Sequence, residues 1–83
     1  MGDVAATYKI FVEEMEKFNE VKAEIQKLGP KAMVEEEVGF GIKVIKAVFI
    51  IGDEGGLLDK LEASLLAVKG VSEIRAEEVG RML

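Results

Sequence analysis

The fold is decided by the stretch that covers residues 38–56, which reads VGFGIKVIKAVFIIGDEGG. It contains the longest strongly apolar run of the chain, residues 44–51, and many of these residues are β-branched. Apolar, β-branched runs of this length between glycines are typical of buried strands. The Gly-Phe-Gly element ahead of the run predicts a tight reversal, because glycine adopts backbone conformations that other residues avoid. We therefore expect the rest of the chain to pack around this strand.

The N-terminal part of the chain predicts one strand and one helix. Residues 3–12 alternate with a period of two, which is typical of a strand with one face more buried than the other. From Met15 to Leu28, apolar residues recur at steps of three and four, which predicts an amphipathic helix. Gly29-Pro30 is expected to end this helix, since glycine accepts a left-handed cap and proline cannot continue the helix.

The remaining segments complete a familiar element order. A weaker strand over residues 31–38 carries glutamates 35–37, which suit a sheet edge because charge discourages pairing with another chain. The central strand 42–51 follows, and then a turn. A second helix has a stripe of leucine side chains and ends at Gly70, and a last strand covers residues 71–79 before a short tail. This order predicts an α+β, ferredoxin-like βαββαβ sandwich, with two helices on one face of a four-stranded antiparallel sheet. Right-handed crossovers place the first and third strands in its middle.

Length and composition restrict the classes of function. With 83 residues, the chain is expected to form a single domain over residues 1–83. A net charge of −5 argues against direct binding to nucleic acid. Cysteine and histidine are absent from the sequence, which removes the thiolate nucleophile and the commonest catalytic base, so we expect no enzyme, no cofactor and no metal site. The apolar run is too short to span a bilayer, and without a signal-peptide core the chain is expected to be cytoplasmic.

Two surfaces leave alternatives open. Phe40 either folds back as a lid on the small core or stands out as an interface anchor. The sheet face opposite the helices is expected to carry both charged and apolar residues, so it is either a solvated face with cross-strand ion pairs or a docking surface. The charged residues include Lys9, Lys46 and Glu77, and the apolar ones are Phe11, Val44, Val48 and Ile50. Glutamates 35–37 are expected to be a solvated edge, because adjacent strand residues point to opposite faces and cannot converge on one ion.

The quoted residues also carry a family resemblance along nearly the whole chain. The motifs that carry it are Gly2-Asp3-Val4, Lys9-Ile10, Glu35-Glu36-Glu37, Gly39-Phe40-Gly41-Ile42-Lys43, Gly52-Asp53-Glu54-Gly55-Gly56, Leu61-Glu62 and Gly70-Val71, with a final basic residue. With these motifs in this order, the sequence resembles archaeal translation elongation factor 1-beta, and it is similar to the C-terminal exchange domain of the eukaryotic factor. Most specific among them is the phenylalanine-glycine hairpin, together with the Gly-Gly turn at the right distance.

The resemblance implies a guanine nucleotide exchange factor for the GTPase elongation factor 1-alpha. It implies that Phe40 and Lys43 contact the GTPase, and that Arg81 enters the magnesium and phosphate region and loosens GDP. It also implies that the chain is a monomer until the GTPase binds. The alternative from another class is a ligand-sensing or dimerising module of the ACT type, which would use the apolar part of the sheet face to self-associate.

Overall fold

A computed structural model describes residues 3–52 and 55–81 of the chain. Residues 53 and 54, in the predicted turn before the second helix, lie outside this description, as does the side chain of Arg81. Four strands and two α-helices follow one another in the predicted order, with a short 3₁₀ turn ahead of the first helix. Their bounds are β1 Asp3–Val12, the 3₁₀ turn Met15–Lys17, α1 Phe18–Gln26, β2 Ala32–Gly39, β3 Ile42–Gly52, α2 Leu57–Ala67 and β4 Val71–Arg81.

The four strands form one antiparallel sheet in the order β2-β3-β1-β4. β1 and β3 therefore occupy the middle, and their register runs from Asp3 opposite Gly52 to Ile10 opposite Ile45. Both helices contribute side chains to a single core cluster on one face of the sheet. The predicted ferredoxin-like βαββαβ fold, with its two central strands, is confirmed.

The core lies between the helices and the inner face of β1 and β3. Alternate residues of β1 are buried and face those of β3 across the register, which is the consequence of a strand period of two. Tyr8 is fully buried, yet its hydroxyl donates a hydrogen bond of 2.8 Å to Glu62 Oε2 on α2. Burial, together with this hydrogen bond, raises the pKa of Tyr8 above its ordinary range. The cluster consists of Ala6, Tyr8, Ile10, Val12, Phe18, Val21, Ile25, Ile45, Ala47, Phe49 and Leu65.

The helices follow their predicted stripes with one correction. Phe18, Val21 and Ile25 of α1 are buried, but Leu28 lies beyond the last residue of the helix and is exposed. The prediction of Leu28 as part of the buried stripe is wrong, because the helix ends before this residue completes another turn. Gly29 has a φ of +80°, as expected of a left-handed residue after a helix. Within the described residues, no helix is long and apolar enough to cross a membrane.

β4 differs from the simple strand that alternation predicts. Its register with β1 shifts twice, between Thr7 and Tyr8 and between Phe11 and Val12. Such bulges insert an extra residue, so the side chains of β4 do not keep one alternation along its length. β4 also continues to Arg81, whose main chain pairs with Val4. The prediction of a tail that begins after residue 79 is therefore wrong for residues 80 and 81, because pairing with β1 extends the strand.

Candidate functional site

The β2–β3 hairpin presents an aromatic side chain at its tip. Gly39 pairs with Ile42, which leaves Phe40 and Gly41 as a two-residue loop. Phe40 has a φ of +57° and Gly41 a φ of +75°, the combination that a type I′ hairpin turn requires. Phe40 is the one non-glycine residue with positive φ in the described part of the chain. Its relative exposure is 103%, so the alternative of a lid on the core is wrong.

Two further apolar side chains lie beside Phe40. Val38 is 47% exposed and Ile42 is 45% exposed, and the two flank the tip on β2 and β3. Val38 lies at a register shift between Glu37 and Gly39, which is typical of a bulge that redirects a strand end. We call Val38, Phe40 and Ile42 the hairpin patch. All three residues are apolar in the sequence, but their exposure depends on how far the hairpin projects beyond its neighbours. For this reason the sequence singled out only Phe40 as a candidate contact residue.

Lys43 lies at the base of the same hairpin, on the side of the helices. Its ammonium is 3.6 Å from Glu35 Oε1 and 5.9 Å from the centre of the Phe18 ring. Its backbone N–H points to the sulfur of Met15 at 3.3 Å. The structure thus brings Phe40 and Lys43 to one hairpin, but Lys43 also has partners within the chain. The contacts of Met15 and Phe18 with Lys43 were not predicted, because no local pattern relates residues so far apart in the sequence.

The glutamate run divides between the two faces of the sheet, as its spacing predicts. Glu35 faces the helices, where Lys22 and Lys43 contact it, and Glu36 faces the other side, where it binds Lys9. A hydrogen bond from Lys22 is the main reason why the pKa of Glu35 is lower than usual. The described residues contain no group of three or more acidic side chains that could hold a metal ion.

The outer face of the sheet carries a network of ion pairs. Lys9 Nζ is 3.1 Å from Glu36 and 3.5 Å from Glu77, and Lys46 Nζ is 3.3 Å from Glu77. The hydrogen bond with Lys46 is the leading cause that lowers the pKa of Glu77, and the hydrogen bond with Glu36 is the leading cause that raises the pKa of Lys9. Val44, on this face, is fully buried. These contacts favour the solvated, ion-paired face over the apolar docking surface.

Arg81 lies far from the hairpin. Its main chain pairs with Val4, which in turn pairs with Ile51 near the end of β3. Ile42 of the hairpin patch lies at the other end of β3, nine positions before Ile51, or about 30 Å along the strand. The molecule is 42 Å long. Phe40 and Arg81 therefore belong to opposite ends of the sheet, and a partner that contacts both must be large.

Comparison with known proteins identifies the family. The model of the EF-1 guanine nucleotide exchange domain matches residues 7–82. The chain belongs to the EF-1 guanine nucleotide exchange domain family. It is 36% identical over 85 residues to elongation factor 1-beta of Thermoplasma acidophilum, with 95% of this chain and 97% of the relative covered. It is 33% identical over 89 residues to elongation factor 1-beta of Methanothermobacter thermautotrophicus, with all of both chains covered. Elongation factor 1-beta of Methanosarcina acetivorans is 36% identical over 89 residues, with 99% of this chain and all of the relative covered.

The family match states the class of protein and covers the elements described above. The family consists of nucleotide exchange factors and not of enzymes. The matched region of this exchange domain includes the whole β2–β3 hairpin and all of β4. The resemblance to archaeal elongation factor 1-beta is confirmed, and with it the role in translation elongation. Within the described residues, the hairpin patch is the most exposed group of neighbouring apolar side chains.

Proposed function

We propose that this exchange domain accelerates the release of GDP from the GTPase elongation factor 1-alpha and that it holds the GTPase through Phe40 and Lys43 at one end and Arg81 at the other. The observation that carries the proposal is the fully exposed Phe40, held with positive φ at the tip of the hairpin. A large apolar side chain in such a position gains free energy only when a partner covers it. Aromatic residues of this kind are frequent anchors in protein interfaces.

Nucleotide exchange requires no nucleophile and no general base. An exchange factor acts by binding the nucleotide-free GTPase more tightly than the nucleotide-bound form, so its differential affinity loosens GDP. A small rigid domain with two separated contacts suits this role, because it can bind two parts of a GTPase at once. The separation of about 30 Å along β3 supports a contact of this kind.

We assign different roles to the two basic residues. Lys43 stands half-exposed beside the hairpin patch, where it offers a positive charge to the partner next to Phe40. Arg81 terminates β4, and its guanidinium is the group that we expect in the magnesium and phosphate region of the GTPase. A cationic tip can stand where Mg²⁺ stood and redirect the phosphate contacts. The role of Arg81 rests on the family resemblance.

The test is the release of fluorescent GDP from purified elongation factor 1-alpha, with sub-stoichiometric amounts of this chain. We expect release to accelerate and Arg81→Ala to reduce the acceleration strongly while the protein still folds. Arg75→Ala is the matched control, since Arg75 is the only other arginine of the chain, lies on the same strand and pairs locally with Glu73. Full exchange by Arg81→Ala would contradict its assignment, and no acceleration by the unchanged chain would contradict the proposed function.

We further propose that residues 1–83 act as a single domain, monomeric until the GTPase binds, in the cytoplasm and without direct contact to nucleic acid or membrane. The ion-paired outer face supports a monomer, because self-association across this face would bury Lys9, Lys46 and Glu77. Light scattering measures the mass directly. A stable dimer through the sheet face would favour the ACT-type alternative.

A further inference from the structure

The tip of the β2–β3 hairpin projects beyond the last residue pair between β3 and its neighbour β1. We call the start of this projecting part, at Lys43, the base of the hairpin. β1 continues to Val12, but its pairing with β3 ends at Ile10 opposite Ile45, and Lys43 lies two residues further along β3 towards the tip. Where an antiparallel ladder ends, the backbone groups of the strand beyond it have no ladder partner on that side. Beyond this point the hairpin has only its own two strands, and isolated two-stranded hairpins are marginally stable in water.

The segment after β1 supplies a hydrogen-bond acceptor for β3 at the point where the ladder between β1 and β3 has ended. Two residues separate the end of β1 from Met15, and the sulfur of Met15 accepts the backbone N–H of Lys43 at 3.3 Å. Met15 is half-buried and packs against the core cluster. Its thioether is a weak acceptor, but it is flexible and polarizable and fills irregular gaps. One side chain thus joins the hairpin base to the core.

Lys43 makes two more contacts, both through its side chain. The Lys43 ammonium lies 5.9 Å from the centre of the Phe18 ring, at the first residue of α1. It also lies 3.6 Å from Glu35 on the other strand of the hairpin, and Glu35 is in turn bound by Lys22 of α1. The base of the hairpin is therefore linked to the 3₁₀ turn and to α1 through both its strands.

We propose that Met15, supported by Phe18, is a positioning residue, which holds the base of the hairpin at Lys43 and so sets the place and direction of Phe40. This inference rests on the proposed function, because it concerns the surface that would bind the GTPase. Met15 acts through the hairpin and makes no contact with the partner itself. Its loss lowers the fraction of molecules with Phe40 in the binding position, and the apparent dissociation constant rises in inverse proportion to that fraction.

The first test uses the isolated protein and does not depend on the GTPase. In Met15→Leu, the apolar volume is largely kept but the acceptor is lost, and we expect the amide of Lys43 to exchange with solvent about tenfold faster, while amides of the β1–β3 centre keep their protection. Met15→Ala should enlarge the effect. Met33→Ala is the matched control, because Met33 is also half-buried against the core but pairs with Ala47, at the far end of the hairpin. Unchanged exchange at Lys43 in both Met15 variants would overturn the proposal.

The second test asks whether Met15 acts through Phe40. We expect Met15→Ala to weaken affinity for elongation factor 1-alpha about fivefold or more, without a change in the exchange rate at saturation. In the background of Phe40→Ala, the same substitution should weaken affinity less than it does in the unchanged chain, because only the contribution of Lys43 remains to be displaced. Additive losses, or an unchanged affinity of Met15→Ala, would overturn the proposal. If the unchanged chain gives no exchange at all, the proposed function fails, and hydrogen exchange at Lys43 alone decides whether Met15 holds the hairpin.

Discussion

Removal of the aromatic ring at the hairpin tip should weaken binding to the GTPase and leave the stability of the monomer nearly unchanged. Phe40 is fully exposed, so Phe40→Ala removes no buried surface from the folded monomer. The left-handed backbone costs an L-residue about 1–2 kcal/mol, and alanine has the same cost at a φ of +57°. In the monomer, the change in buried apolar surface and the change in backbone strain are therefore both close to zero. We expect the free energy of unfolding to change by about 0.5 kcal/mol or less, as for other exposed positions.

The effect on binding should be much larger. Burial of a phenylalanine side chain contributes about 1.5–3 kcal/mol. If the GTPase covers the ring completely, the loss corresponds to a dissociation constant that is roughly 10- to 150-fold higher. Because the patch also contains Val38 and Ile42, part of the apolar contact should remain in the variant.

The assay combines a titration with a thermal melt. The dependence of GDP release on the concentration of each variant gives its apparent affinity, and the melt gives its stability. Leu66→Ala is the control, since Leu66 is 54% exposed but lies on α2, away from the hairpin. An affinity within twofold of the unchanged chain, or a fall in melting temperature greater than about 4 °C, would refute the interpretation of Phe40 as an exposed anchor.

Three further predictions concern the frame. Tyr8→Phe removes the hydrogen bond to Glu62 and should lower stability by about 1–2 kcal/mol, or roughly 5–15 °C in melting temperature; an unchanged melt would mean that this bond contributes nothing. Gly70→Ala should lower stability by about 2 kcal/mol or more in a denaturant titration, because φ is +98° and the added Cβ would lie 2.6 Å from Val21; equal midpoints would contradict this reasoning. The pKa of Glu77 is below its ordinary value of 4.5, so its ion pairs stabilise the fold above that pH and are lost as pH falls through the folded-state pKa; melts across this range that show no loss would count against the network.

The element order was predictable because each element carries its own local signal. The period of two in residues 3–12 predicts β1 with the observed bounds, and the Gly-Phe-Gly element predicts the reversal into β3. Leu28 was misplaced because apolar spacing continues past the point where the helix ends. The extension of β4 to Arg81 was missed because a strand end is set by its pairing partner, here Val4, and not by its own residues.

Patterns in the sequence are enough to predict the fold class and the division of the glutamates between the two faces, and to exclude thiol and imidazole chemistry. These follow from periodicity and composition, which are local properties. Three features emerge only when the elements pack together: Phe40 is exposed, it lies about 30 Å along β3 from the end with Arg81, and Met15 contacts Lys43. Exposure, separation and contact between residues remote in the chain depend on how the elements pack, and the linear spacing of residues does not contain that information.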